Sequence, residues 1–82
     1  MSDNIKTIRS FIFENFLFDA DENALDNNDS FLEQGIIDST GVLELVNWLE
    51  ETYSIQVDDL ELIPENLDSV NRLESFIKNK MN

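Results

Sequence analysis

The sequence predicts an all-α fold, a small helical bundle formed as one domain over residues 1–82. Apolar residues recur at helical spacing in three separate segments, and the chain has only two glycines and one proline to interrupt helices. With 82 residues and 41% hydrophobic content, the chain can support one small packed core. The expected architecture is three main helices, a short additional third helix, and a long loop after the first helix.

The first helix is predicted near the start of the chain, and a long loop should follow it. The loop from Asp19 to Ser30 is rich in Asp and Asn, which favour turns. Apolar residues at helical spacing in the first helix are Ile5, Ile8, Phe11, Ile12 and Phe16. Four apolar residues after the loop are expected to enter the core: Phe31, Leu32, Ile36 and Ile37.

The second helix is predicted to begin beside Asp38, whose carboxylate can accept hydrogen bonds from free backbone N–H groups of the first turn. Ser39 would lie in that first turn, and Trp48 at the edge of the core. At about 100° per residue, the inward stripe consists of Val42, Leu45, Val46, Leu49 and Tyr53. The opposite face should carry Thr40, Leu43, Glu44, Asn47 and Glu51, with Glu50 nearby.

Two further helices are predicted in the last third of the chain. Residues 58–62 are expected to form the short third helix, which Pro64 should end because the residue before a proline is biased away from α geometry. Asp68 or Ser69 should cap the final helix, with lysines near its negative end. Its predicted inner face consists of Val70, Leu73, Phe76 and Ile77.

The net charge of −13 is unevenly distributed. All 18 acidic residues except Asp3 and Glu74 lie between Ser10 and Asn71, a stretch without a single Lys or Arg. Nucleic acid and anionic membranes are therefore poor partners, whereas basic patches on other proteins would attract this surface. A simpler interpretation of the charge is solubility alone.

Several absences restrict the chemistry. The chain has no His and no Cys, so a Ser-His-Asp triad and a thiol nucleophile are both excluded, and we expect no catalytic residue. The start of the chain is acidic and polar, and no run approaches 18 apolar residues, so we expect a cytoplasmic protein without membrane insertion. Asp19, Asp21 and Asn23 fit the first positions of a calcium loop. Ala24 and Ser30 break that pattern, so no metal site is predicted.

The run from Gly35 to Val46, with Asp38-Ser39 at the start of a helix, resembles the acyl carrier protein family over nearly the whole chain. The resemblance implies that Ser39 bears a covalent 4′-phosphopantetheine arm from coenzyme A, with Asp38 as the helix cap beside it. A helix N-terminus favours the negative charge of such a phosphodiester. Because Gly35 and Gly41 flank the Asp-Ser pair, the motif is most similar to stand-alone D-alanyl and other aminoacyl or acyl carriers.

The resemblance also implies partners. These are a phosphopantetheinyl transferase and a ligase or acyltransferase that loads cargo as a thioester, each meeting a monomeric carrier through a basic docking patch. The implied docking residues are Leu43, Glu44, Asn47, Glu50 and Glu51. Amino acid, fatty, polyketide and surface-polysaccharide cargoes all stay open, although Thr40-Gly41 departs from the usual fatty-acid carrier pattern. The alternative is an acidic helical interaction module without a prosthetic group.

Overall fold

The computed structural model describes residues 3–17 and 21–81 and confirms the predicted all-α class. Within those ranges the chain forms α1 (Asp3–Asn15), α2 (Ser39–Tyr53), α3 (Pro64–Leu67) and α4 (Val70–Met81), and no strand. Two 3-10 turns, Glu22–Ala24 and Asp59–Glu61, lie in the connecting segments. No helix among the described residues is both long and apolar enough to cross a membrane.

One hydrophobic core unites the helices, and the predicted inner faces of α1, α2 and α4 all contribute to it. The predicted inner residues of α4 are all buried, and Ile8 and Ile12 of α1 have no exposed surface. Trp48 lies at the edge of the core as predicted, with its ring stacked on Phe11 at 4.4 Å between centroids. The buried core residues are Ile8, Ile12, Leu25, Phe31, Ile37, Leu45, Leu49, Leu67, Val70, Leu73, Phe76 and Ile77.

Hydrogen bonds join the loop between α1 and α2 to α1 and to α4. Arg9 of α1 donates from Nη1 to the Leu25 carbonyl at 2.8 Å and to Asn27 Oδ1 at 2.7 Å. Asn71 of α4 donates its backbone N–H to the Asn27 carbonyl at 3.0 Å. Leu25 itself is buried in the core, which sequence reasoning did not predict. These bonds satisfy the Leu25 and Asn27 carbonyls, beside the Leu25 side chain that enters the core.

Asp68 attaches the end of this loop to the junction between α3 and α4. Its carboxylate accepts from the Ser30 hydroxyl and from the Leu32 N–H at 3.1 Å, and its carbonyl accepts from the Phe31 N–H at 2.9 Å. Ser69, the other predicted cap, accepts from the Arg72 N–H at 3.1 Å and caps α4. The serine therefore caps the helix because the aspartate is occupied by the loop.

The predicted burial of the four apolar residues after the loop is wrong for one of them. Phe31 and Ile37 are buried and Ile36 packs against the core, but Leu32 is 47% exposed. Phe31 and Leu32 are adjacent in a tight turn, so their side chains point in different directions. Burial of the Phe31 ring leaves Leu32 at the surface.

The prediction for the third helix is also corrected. The segment expected to be helical forms only a 3-10 turn, Asp59–Glu61, and Pro64 begins α3 instead of ending a helix. A proline fits the first helical position because its missing N–H needs no partner there. Glu61 ties this turn to α4 by accepting from Lys80 Nζ at 2.8 Å, and this bond lowers the pKa of the Glu61 carboxyl.

Gly35 ends the turn that precedes α2. Its N–H donates to the Leu32 carbonyl at 3.2 Å, and the Ile36 N–H donates to the Phe31 carbonyl at 2.9 Å. This pair of bonds is the Schellman pattern, which places the residue at Gly35 in the left-handed region, and its φ is +69°. The turn directs the chain from the loop into the first turn of α2.

Replacement of Gly35 by alanine is expected to lower the free energy of unfolding by about 1–2 kcal/mol, because an L side chain is strained at this φ. An added Cβ would meet no atom within 4 Å, so the effect isolates backbone strain from packing. Gly35→Asn is the matched variant, since asparagine tolerates left-handed geometry better. Urea unfolding checks both variants, and an alanine variant as stable as the asparagine variant would contradict the explanation.

Candidate functional site

Asp38 is the N-cap residue of α2. Its backbone is extended, with φ −96° and ψ −176°, and its Oδ1 accepts from the Gly41 N–H at 2.8 Å. Its carbonyl accepts from the Val42 N–H at 3.0 Å, which begins the helical hydrogen bonding. Ser39 follows as the first helical residue and is exposed. The cap therefore holds an accessible hydroxyl at the positive end of a 15-residue helix.

The chemistry of this position fits a phosphodiester on the Ser39 oxygen. The first N–H groups of a helix lack intrahelical carbonyl partners, and they contribute partial positive charge at that end. Among the described residues, the first turn contains no acidic side chain that would repel a phosphate. Asp38, just outside the helix, already accepts the Gly41 N–H. An anion joined to Ser39 would thus meet a favourable field.

Gly41, one turn into α2, lies against two apolar side chains. A Cβ added there would stand 2.9 Å from Ile37 Cγ2 and 3.0 Å from the Phe16 ring. Real Cβ atoms almost never approach another atom as closely as the distance to Ile37, and the distance to Phe16 is also tight, so only glycine fits without movement. The sequence indicated that Gly41 departs from the usual carrier pattern, but gave no sign of this contact.

The buried and exposed faces of α2 agree with those predicted from the spacing of its apolar residues. Leu45 and Leu49 have no exposed surface, and the other members of the stripe pack against the core. Leu43 is 62% exposed on the opposite face, together with Glu44, Asn47 and Glu51. Glu50 differs from the other acids, because its Oε2 accepts from the Val57 N–H at 2.9 Å and holds the chain that leaves the helix.

No ion pair neutralises Glu44 or Glu51 on the exposed face within the described residues. Across residues 3–17 and 21–81, Lys80 pairs with Glu61, and neither Glu44 nor Glu51 forms an ion pair. Glu51 also lies in the last turn of α2, where the macrodipole disfavours negative charge. The negative charge of Glu51 on this face therefore slightly destabilises the helix.

A small apolar cavity lies beside the start of α2. Its volume is about 90 Å³, far below the ~300–1,000 Å³ of ordinary ligand pockets. Ile37 and Val42, on either side of Asp38-Ser39, form one wall, and Leu32 and Ile63 lie at its rim. Sequence reasoning missed this cavity, because its walls come from the loop, α2 and the α3 region, which no local pattern connects.

The acidic loop gives no metal centre in the part of the chain that is described. Asp19, the first position of the calcium pattern, lies outside the described residues. Asp21 accepts from the Asn23 N–H at 3.1 Å, as a cap of the 3-10 turn. No group of three or more potential ligands occurs among the described residues.

A protein-family model described as the phosphopantetheine attachment site matches residues 17–77 of the 82. Searches of curated proteins and of solved structures gave no match. The matched segment includes the Asp38-Ser39 pair and extends into α4. Domains of this family are carriers without catalytic activity of their own. The chain therefore belongs to the phosphopantetheine attachment-site family, whose members carry a covalently attached 4′-phosphopantetheine group.

Proposed function

We propose that residues 1–82 form one carrier domain that holds an acyl or aminoacyl cargo as a thioester on a phosphopantetheine arm joined to Ser39. The observation that carries this proposal is the exposed Ser39 hydroxyl at the first position of α2, held there by the Asp38 cap within the segment that matches the family. The arm, when attached, supplies the thiol that forms the thioester. The chain itself anchors the arm and presents it.

The residues around Ser39 support anchoring and not catalysis. A serine nucleophile needs a general base, and the chain contains no histidine. The nearest carboxylate in sequence, Asp38, is occupied with the Gly41 N–H at 2.8 Å. Ser39 is therefore proposed as an attachment point that a separate transferase modifies. Family membership implies interaction with a phosphopantetheinyl transferase and with further partner enzymes.

Intact-mass measurement tests the proposal directly. The folded protein is incubated with coenzyme A, magnesium and a broad-specificity phosphopantetheinyl transferase. We expect a gain of one phosphopantetheine group per chain. No gain on a sample whose circular dichroism is helical would overturn the carrier proposal and favour the alternative, an acidic interaction module without a prosthetic group.

The exposed face of α2 supports docking to basic partner surfaces. Within the described part of the chain Glu44 and Glu51 form no ion pair, and Leu43 offers an exposed apolar contact on the same helix. Acids that have no partner in the bundle remain available to a basic patch, where they raise association rates. Asn47 adds a polar group on the same face. Glu50 is proposed as a weaker contributor because it already binds the Val57 N–H.

Reversal of two charges on this face is expected to slow loading by the cognate enzyme. In Glu44→Lys/Glu51→Lys, long-range attraction to a basic patch is lost, so loading at low salt should fall by about tenfold or more and depend less on salt. Loading kinetics at several salt concentrations check this expectation.

The matched control is Glu14→Lys/Glu74→Lys, which changes the net charge equally but alters α1 and α4. If the α2 face guides docking, the cognate enzyme should load the control variant at nearly the wild-type rate. If loading of both double variants is slowed equally, the change in net charge alone explains the effect. If neither slows, Glu44 and Glu51 do not guide docking.

The proposal extends to the location of the carrier, its loading enzyme and its cargo. We propose a monomeric, cytoplasmic carrier, loaded by a ligase or acyltransferase with a basic docking patch. The glycines that flank the Asp-Ser pair favour the stand-alone D-alanyl and aminoacyl type over standard fatty-acid carriers. Mass analysis of the arm after incubation with candidate ligases and their acids would identify the cargo.

A further inference from the structure

We infer that Gly41 is a positioning residue for modification of Ser39: its missing side chain lets the first turn of α2 settle against Ile37 and Phe16. The inference rests on the proposed function, because it concerns the same hydroxyl. It adds a buried residue, Gly41, to the exposed Asp38-Ser39 pair. Gly41 acts through the placement of the backbone that bears Asp38 and Ser39.

The contact at Gly41 is tight on two sides. An added Cβ would lie 2.9 Å from Ile37 Cγ2 and 3.0 Å from Phe16 Cε1, and 3.4 Å from Asp38 Oδ1. Gly41 itself is buried, although Ser39 and Thr40 just before it are exposed. The helix therefore meets the bundle first at this residue.

Both walls of this contact are held in place. Ile37 is 1% exposed and belongs to the buried core, and it also lines the small cavity beside α2. Phe16 follows the end of α1, and its N–H donates to the Ile12 carbonyl at 2.8 Å. Its ring meets the Phe11 ring edge-on at 5.9 Å, and Phe11 is stacked on Trp48. A side chain at position 41 would thus have to displace Ile37, Phe16 or the start of α2.

Movement of the helix start would disturb the cap. The Asp38 carboxylate accepts the Gly41 N–H at 2.8 Å, so a shift at Gly41 changes the bond that fixes Asp38. Ser39 lies between these two residues and would move with them. An alanine elsewhere in a helix normally stabilises it relative to glycine, so a loss here would come from the contact and not from helix propensity.

The test is the kinetics of pantetheinylation, followed by intact mass with coenzyme A, magnesium and a broad-specificity transferase. Gly41→Ala is expected to reduce the modification rate by at least about tenfold, because misplacement of a reacting group by about 1 Å can cost that much. The loss should be mainly in kcat, with KM changed little, because the exposed face of α2 is unaltered. Folding is verified by circular dichroism at the assay temperature.

Two further variants separate positioning from loss of stability. Ile77→Val removes one methyl group from the buried face of α4 and weakens the core far along the chain from Ser39, so its modification rate should equal that of wild type. Ile37→Leu with Phe16→Leu removes both contacting atoms, and adding Gly41→Ala to that pair should now cost less than about threefold.

The outcomes distinguish this inference from the proposed function. Modification of folded Gly41→Ala at the wild-type rate, an equal loss in Ile77→Val, or no relief in the combined variant would each overturn the positioning role and leave the carrier proposal intact. Failure of wild type to gain mass would overturn the carrier proposal itself. A gain that persists when Ser39 is alanine would overturn Ser39 as the attachment site, and the positioning role of Gly41 with it.

Discussion

Replacement of Ser39 by alanine is expected to abolish pantetheinylation completely while leaving the helical bundle intact. The phosphodiester needs the serine oxygen, and alanine offers no oxygen at that position. The fold should be unaffected because Ser39 is exposed and Asp38 still provides the cap. Alanine also has the best helix propensity, so α2 should form as before. Intact mass and circular dichroism on one sample check both parts.

Thr40→Ala is the matched control for this prediction. Thr40 is the next residue, exposed in the same helical turn, and it also has a hydroxyl group. Its removal should leave the mass gain unchanged. A gain in Ser39→Ala together with a loss in Thr40→Ala would move the attachment to Thr40. A gain in both variants would place the arm outside this turn.

The second large effect is expected in the core. Leu45→Ala should lower the free energy of unfolding by about 2–5 kcal/mol, because a leucine with no exposed surface leaves a cavity when truncated. A domain has only about 5–15 kcal/mol in total, so this loss is a large share. In a chain of this size, each kcal/mol lowers Tm by about 4–8 °C. Urea and thermal unfolding followed by circular dichroism measure it.

Leu43→Ala is the control, on the same helix two residues away. Leu43 is 62% exposed, so its truncation should change the free energy of unfolding by less than about 0.5 kcal/mol. Trp48 fluorescence gives a second probe, since Trp48 is the only tryptophan and stacks on Phe11 between α1 and α2. Equal stability of the two variants would mean that the two faces of α2 are not as described.

Much of the fold could be predicted because helical periodicity reports burial locally. Residues three and four positions apart share a face, so α1, α2 and α4 each reveal their inner side in the sequence. The prediction of the third helix was wrong because a proline is compatible with two positions relative to a helix. A proline can follow the end of a helix or occupy its first position. The packing of Leu67 in the core places Pro64 at the first position of α3.

The roles of several polar residues were also decided by contacts with distant segments. Asp68 and Ser69 are both good cap residues, and the sequence offered no basis for a choice. The choice depends on Ser30 and Leu32, which lie more than 35 residues away along the chain and occupy the Asp68 carboxylate. Glu50 and Glu51 were both predicted as docking residues, but the chain that leaves α2 places the Val57 N–H against the Glu50 carboxylate.

The sequence by itself determined the all-α class, the inward and outward faces of α2, and the carrier family, because each depends on residues close together along the chain. Only the tertiary structure decided the burial of Leu25, the apolar cavity beside α2, and the contact of Gly41 with Ile37 and Phe16. These features depend on distances between segments that are remote in sequence. Such distances are set by the packing of the whole bundle, which no local pattern encodes.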